Sequence, residues 1–330
     1  MIMSSAQKSS ICLFSSYFSG NKIPYYIKYY LQELKKYCND LIFITNQKSL
    51  LPTEIDFLCN VNVELLLVEN EGYDFGMWFK AMNQYDVTNY EQIILANDSC
   101  VLFKSLAETF KWIDSTDADY CGLVSSKRVR FHLQSFFLVI NKRAIEPVRT
   151  YFRNHNIIND YQKVIEVYEI GLCSHLSSLG LKIKSRFQSN QELEIHNPSF
   201  YELDRLLKEG MPMIKKKIIF RSYRYGEYLS LFRMNFNIDQ DYYINLIKTY
   251  NHDSMLIDFS LVVKDASKKN RFDIFLYNTV KNIYRLLSTS KMLTATFHQL
   301  ILIRRRLRGN KDIHILKTSI TDKQKSHEQH

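Results

Sequence analysis

Val63-Glu64-Leu65-Leu66-Leu67-Val68 runs directly into Glu69-Asn70-Glu71-Gly72-Tyr73-Asp74-Phe75-Gly76-Met77-Trp78. The first six residues are a short apolar run of the kind that forms a buried strand. Two glycines flanking an aspartate then call for a tight turn with a close backbone approach. Apolar residues next recur at helical spacing over 74–84. Strand, turn and helix in this order are half of a βαβ unit, and the pattern extends outward on both sides. ICLFSSYF (11–18) predicts a first buried strand, and the residues after Pro24 a helix with the proline in its first turn. LIFIT (41–45) predicts a second strand, 51–60 a short helix, and QIILA (92–96) a fourth strand. Downstream, 119–126 and 135–141 read as strands, 142–154 as a helix, 159–179 as a helix stopped by Gly180, and 181–187 as a last strand. Strands alternating with helices predict an α/β fold with a largely parallel sheet.

Composition narrows the class. The chain has 330 residues, 46% hydrophobic and 24% charged, enough apolar material for a full core. No apolar run approaches the roughly 20 residues of a membrane span. MIMSSAQKSS at the start lacks the apolar core and cleavage site of a signal peptide, which gives the expectation of a cytoplasmic protein. Cys12, Cys38, Cys59, Cys100, Cys121 and Cys173 contain no CxxC pair and predict reduced core thiols rather than disulfides or a zinc site. With 9 glycines and neither GxGxxG nor GxxxxGKS/T, the sequence argues against a glycine-rich dinucleotide loop or a P-loop.

Charge divides the chain. Residues 1–210 hold 22 basic and 24 acidic side chains, so of the total of 44 and 34 the remaining 120 residues hold 22 and 10, a net of +12. That second part suits an anionic surface such as lipid headgroups. Within it, 291–311 has the pattern of an amphipathic interface helix, with Met292, Leu293, Phe297, Leu300, Ile301 and Ile303 beside Arg304, Arg305, Arg306 and Arg308. Residues after about 315 read as a disordered polar tail. No nucleic-acid-binding motif accompanies the basic residues.

Two strand tips carry the chemistry. In the passage quoted first, Asp74 sits at the carboxyl end of a strand, where ligands bind in parallel α/β sheets, and Tyr73, Phe75 and Trp78 offer stacking or packing surfaces. In Ile93-Ile94-Leu95-Ala96-Asn97-Asp98-Ser99 a buried strand runs straight into Asn-Asp-Ser. A carboxylate there is placed to hold Mg²⁺ or Mn²⁺ together with substrate phosphates; the same residues also make good turn and helix caps.

In this order the two motifs resemble the rhamnan-synthesis F proteins, glycosyltransferase-like enzymes of bacterial polysaccharide assembly. The likeness continues through His132-Leu133-Gln134-Ser135-Phe136-Phe137-Leu138-Val139, Tyr168-Glu169-Ile170-Gly171-Leu172 and Asn197-Pro198-Ser199, and reaches Gly210, Pro212 and Lys215. The resemblance implies a GT-A-like, Rossmann-type domain over 1–220 followed by a basic, mainly helical extension over 221–330. It implies a glycosyltransferase of the hexosyl, inverting type. Such an enzyme takes a nucleotide-sugar donor, with rhamnose or another deoxyhexose as the sugar, and acts on a cell-surface polysaccharide or lipopolysaccharide acceptor, glycan or lipid-linked, at the inner face of the cytoplasmic membrane. Asp98 then takes the place of the last carboxylate of an Asp-x-Asp metal element, with Ala96 standing where its first aspartate belongs. Ser15, Tyr17, Asn70, Gly72, Tyr73, Asp74, Trp78 and Asn97 line the donor side. His132 and Gln134 meet sugar hydroxyls, and His196 reaches the divalent cation or diphosphate. Glu169 is the general base, with Glu166 as the alternative. The missing first aspartate keeps a second reading in play, a catalytically inactive module of the same fold that binds glycan or assembly partners.

Overall fold

The computed structural model describes residues 8–189 and 197–216. The expected C-terminal extension, the 291–311 helix, the polar tail and His196 lie outside these residues. Strand β1 (Ser10–Ser16) leads to helix α1 (Tyr25–Lys35), β2 (Asp40–Thr45), α2 (Pro52–Asn60), β3 (Glu64–Leu67), α3 (Tyr73–Gln84) and β4 (Gln92–Asn97). The chain continues through β5 (Cys100–Leu102), α4 (Ala107–Ser115), β6 (Tyr120–Ser126), β7 (His132–Leu133), β8 (Phe137–Asn141) and α5 (Lys142–His155). It closes with α6 (Tyr161–Val164), a π-helical turn (Ile165–Gly171), α7 (Leu172–Ser178), β9 (Ile183–Phe187), α8 (Pro198–Tyr201), α9 (Leu203–Lys208) and β10 (Met213–Lys215).

The main sheet has the order β3-β2-β1-β4-β8-β6-β7, with β9 also paired to β6. Pairs β1–β2, β1–β4, β2–β3 and β6–β9 are parallel, while β8 is antiparallel to both β4 and β6. Because β8 reverses between them, β6 and β9 point the same way as β1 to β4, and the sheet is mostly parallel. The reversed β8 and the short β7 are the departures from the expected pattern.

Successive residues of a strand face opposite sides, and here both sides are apolar. Cys12 and Phe14 of β1 and Ile94 and Ala96 of β4 join a core with Tyr26, Ile27, Tyr30 and Leu31 of α1 and Phe110 of α4. Ile11, Leu13, Ile93 and Leu95 join a second core with Phe75, Trp78 and Met82 of α3 and Val148 and Phe152 of α5. Burial on both faces explains why these strands read as continuous hydrophobic runs. Helix α4 is tied to α1 by Glu33, whose Oε1 accepts from Leu106 N at 2.8 Å and from Ser105 Oγ at 2.6 Å. All six cysteines are free thiols.

Two local features depart from the periodicity. The helix expected over 159–179 begins with an Asp160 cap, whose Oδ1 accepts from Lys163 N at 2.8 Å, and is broken by the π turn. Three-residue β5 and β10 pair antiparallel to each other, Cys100 opposite Lys215, outside the main sheet. Neither is long enough to show a period.

Candidate functional site

The topology opens the sheet at one place. β1 pairs with β2 on one side and β4 on the other, so successive connections leave β1 in opposite directions. The crevice at such a switch point, outside the carboxyl ends of the strands, is where open α/β sheets bind ligands. Ser15 and Ser16 stand at the tip of β1, and Asn97 and Asp98 at the tip of β4. The turn after β3 adds the first residues of α3. There Gly72 adopts φ +70°, and its N–H donates to Asn159 Oδ1 at 2.7 Å. A Cβ on Gly76 would lie 1.9 Å from the Glu71 carbonyl oxygen. The two glycines flanking Asp74 therefore answer to a close backbone approach, as their spacing predicts.

Asp74 and Asp98 converge on Ser15. Ser15 Oγ donates to Asp74 Oδ1 at 3.1 Å, and Asp98 N donates to the Ser15 carbonyl at 3.3 Å. Asn97 Nδ2 donates to Asp74 Oδ2 at 2.7 Å, while its Oδ1 accepts from Ser99 N at 3.0 Å. The Asx turn at this tip is thus made by Asn97, which leaves the Asp98 carboxylate for other partners. Those are Lys216 Nζ at 2.7 Å and Tyr26 OH at 3.1 Å, both on Oδ2. Lys216 is held in register because its N–H donates to the Ser99 carbonyl at 2.8 Å, continuing the β5–β10 pairing. Lys215 Nζ lies 3.4 Å from Ser99 Oγ and 4.3 Å from the centre of the Phe136 ring. Two buried polar atoms at neighbouring tips, Ser16 Oγ and Asn46 Oδ1, have no partner among the described residues. Such atoms are costly unless water or a ligand satisfies them.

Burial, and then the nearby Asp98 carboxylate, push Asp74 up to about 7, against the Ser15 hydrogen bond and the charges of Lys215 and Lys216. A raised carboxyl holds its proton in the folded chain after the unfolded chain has lost it. Stability is therefore unaffected below about pH 4 and falls as pH rises from there through about 7. Asp74→Asn removes that dependence. The melting temperature of the variant relative to the unsubstituted protein should climb between pH 4 and 7 and level off above. A difference that stays flat from pH 4 to 8 would contradict the assignment.

Glu169 is joined to the same cluster. Its carboxylate, on the π turn, accepts from Ser135 N at 3.3 Å and from Ser135 Oγ, and the Ser135 carbonyl accepts from Asn97 Nδ2 at 3.4 Å. Insertion of one extra residue in a helical turn re-aims side chains, and π turns concentrate at functional sites for that reason. Glu166, on the same turn, is exposed. Tyr161 was not foreseen. It stands at the rim, 51% exposed, with its ring 5.6 Å from that of Tyr73. Its phenol is pushed up by burial and then by Glu169, with Arg128, Tyr73 and Asp74 also acting on it. Its one signal in the sequence was a position beside the Asp160 helix start. Lys216 and Tyr26 were missed as well, since each reaches Asp98 only through tertiary contact.

Other expected residues fall elsewhere. Tyr17 is 60% exposed beyond β1, and Asn70 is exposed in the loop after β3. Trp78 is a correction: it is fully buried, edge-on to Phe75 with ring centres 5.1 Å apart. It anchors α3 to the sheet and presents no surface to a donor. His132 is buried, with Nδ1 2.9 Å from the Arg130 carbonyl. Gln134 is also a correction. Its Nε2 donates to Asn197 Oδ1 at 3.0 Å and its Oε1 accepts from Ser199 Oγ, so it binds two segments of the chain together. Asn197 in turn caps α8, accepting from Ser199 N at 3.1 Å.

A divalent cation at this tip would meet an ammonium already in place. Magnesium and manganese take near-octahedral oxygen arrays, usually one or two carboxylates completed by water and substrate phosphates. Both Asp74 oxygens are taken by Ser15 and Asn97, Asp98 Oδ2 is taken by an ammonium and a phenol, and no group of three or more His, Cys, Asp or Glu is placed to hold a metal among the described residues.

The family model described as rhamnan synthesis protein F matches residues 41–285. The chain belongs to the rhamnan synthesis protein F family. The match begins at β2 and includes Asp74, Asn97, Asp98, Glu169 and both lysines. By its description the family serves rhamnan synthesis. No curated protein matches the sequence. Among solved structures, the glycosyltransferase GlyE of Streptococcus pneumoniae is similar at 13% identity, with 76% of this chain and 66% of that one covered and a TM-score of 0.37. A cytidylyltransferase from Leptospira borgpetersenii is similar at 11% identity, covering 76% and 99%, with a TM-score of 0.36. The 4-diphosphocytidyl-2C-methyl-D-erythritol synthase of Anaerococcus prevotii is similar at 11% identity over 58% and 92%, with a TM-score of 0.36. These likenesses are too distant to transfer any residue or ligand. No helix among the described residues is long and apolar enough to cross a membrane.

Proposed function

We propose that this family member transfers a sugar from a nucleotide-sugar donor to a glycan acceptor of the cell surface, with inversion at the anomeric carbon. One observation carries the reading: Asp74, Asn97, Asp98 and Glu169 are joined by a continuous set of hydrogen bonds through Ser15 and Ser135 at the switch point of the sheet. The orphaned Ser16 and Asn46 atoms at the β1 and β2 tips suit the hydroxyls and ring edges of a nucleoside. Beside them the diphosphate meets Asn97 and the lysines, and the exposed Tyr73–Tyr161 pair gives the acceptor an apolar face to rest on. In the reaction an acceptor hydroxyl oxygen bonds to the anomeric carbon and passes its proton to Glu169. The bond from that carbon to the diphosphate oxygen breaks, and its electron pair leaves with the nucleoside diphosphate. A deoxyhexose such as rhamnose as the sugar, a polysaccharide or lipopolysaccharide as the acceptor, and work at the inner membrane face are parts of the same proposal.

The test is release of nucleoside diphosphate from a panel of nucleotide sugars, with and without Mn²⁺. The full chain should turn over at least one of them. Asp98→Ala should lower that rate by about a hundredfold or more while keeping its circular dichroism spectrum. Equal rates in the two proteins would reject the site. Donor binding without turnover would instead favour the catalytically inactive binding module.

A further inference from the structure

We infer that Lys215 and Lys216 do the work of the metal: they form a cationic cradle for the donor's diphosphate, and donor binding needs no divalent cation. The inference rests on the donor-site reading above.

Four observations converge. The first is placement: Lys216 Nζ lies 2.7 Å from Asp98 Oδ2, on the one carboxylate whose position in the sheet is that of a metal ligand. A positive charge already occupies the spot where a cation would have to sit. The second is rigidity. The backbone of both lysines is fixed by β10–β5 pairing, with Lys215 opposite Cys100 and Lys216 N bonded to Ser99 O at 2.8 Å. The Lys216 ammonium is further aimed by Tyr26, its Nζ 3.1 Å from the hydroxyl and 5.5 Å from the ring centre. Holding the ammonium in advance lowers the ordering cost of binding an anion. The third is reach. Both ammoniums also act on the Asp74 carboxyl, so their field reaches both aspartates. The fourth is the occupancy of the carboxylates: both Asp74 oxygens and Asp98 Oδ2 already accept hydrogen bonds, the last of them from an ammonium.

The chemistry is consistent with this arrangement. An ammonium offers three N–H donors and a compact charge, which serves phosphate well. Lys216 keeps its contacts with Asp98 and the Tyr26 hydroxyl and lends the phosphates its charge. Lys215, which packs over Phe136 and makes no bond to either aspartate, has donors left for phosphate oxygens. Two fixed positive charges offset the negative charge that grows on the leaving nucleoside diphosphate. The role of Asp98 then changes. It orients a lysine instead of ligating an ion, which accounts for a strand tip that has Ala96 where a second metal-binding aspartate would stand.

The probes are UDP, dTDP, GDP and CDP, titrated into the full chain by calorimetry in buffer containing EDTA and again with Mn²⁺. At least one should bind with an affinity that differs by less than about twofold between the two buffers. Lys215→Gln and Lys216→Gln should each weaken it by about tenfold or more, the loss of one charge-assisted hydrogen bond. Lys216→Arg should hold most of it. Since Lys216→Gln also leaves Asp98 without its counter-charge, Lys215→Gln, which breaks no ion pair, is the decisive variant. Binding seen only with Mn²⁺, or unchanged in Lys215→Gln, overturns the lysine cradle and leaves the donor site standing. A chain that binds none of the four in either buffer overturns both.

Discussion

Glu169→Gln should lower sugar transfer by about a hundred- to ten-thousandfold, the range set by loss of a positioned general base, while donor affinity stays within about twofold of the unsubstituted protein. The substitution keeps the shape of the side chain and its capacity to accept from Ser135 N and Oγ, so the π turn keeps its geometry. What is lost is the ability to take a proton from the acceptor hydroxyl. Donor contacts are made elsewhere, at the β1 and β4 tips, which is why rate and affinity should separate. Rates and donor affinity are measured on the same preparation. An unchanged rate removes Glu169 from the chemistry and passes the role to Glu166 or another group. Equal losses in rate and affinity would make Glu169 a residue that shapes the donor site.

Gly76→Ala should cost about 3 kcal/mol or more, because the new methyl has nowhere to go. Its position is 1.9 Å from the Glu71 carbonyl oxygen and 2.8 Å from the carbonyl carbon, and both are backbone atoms. The Gly72–Gly76 turn must open, although Gly76 N currently donates to Gly72 O at 2.9 Å. For a domain of this size the melting temperature should fall by about 6–12 °C. Because the turn also presents Asp74 to Ser15 and Asn97, donor binding should weaken in the fraction that folds. Gly20→Ala is the control. Gly20 also has a positive φ, +85°, but nothing lies within 4 Å of its added Cβ, so only the backbone penalty of about 1 kcal/mol applies. Similar losses in the two variants, measured by thermal melting, would show that conformational strain and not the Glu71 clash governs the turn.

The strands of the main sheet were readable because both their faces are buried, so Cys12, Leu13 and Phe14, or Ile93, Ile94 and Leu95, are apolar without interruption. The turn around Asp74 was readable because Gly72 and Gly76 have backbone reasons to be glycine. Asp98 was readable as a polar residue at the end of such a strand. Trp78 and Gln134 misled for one shared reason: a side chain beside a ligand-binding turn is equally useful for packing or cross-linking the segments that form it. The π turn under Glu169 was invisible because one extra residue in a helical turn barely disturbs the apolar period.

The alternation of the long strands and helices and the two aspartates at strand tips follow from the amino-acid sequence by itself, since hydrophobic periodicity and backbone sterics act over a few neighbouring residues; helix α4 and the two- and three-residue strands do not. Only the tertiary structure could decide what Asp98 holds. Lys216 lies 118 residues further along the chain and reaches it through a three-residue strand pairing. No local rule of spacing governs an ion pair formed at that separation, because Coulomb attraction depends on distance in space and the fold alone sets that distance.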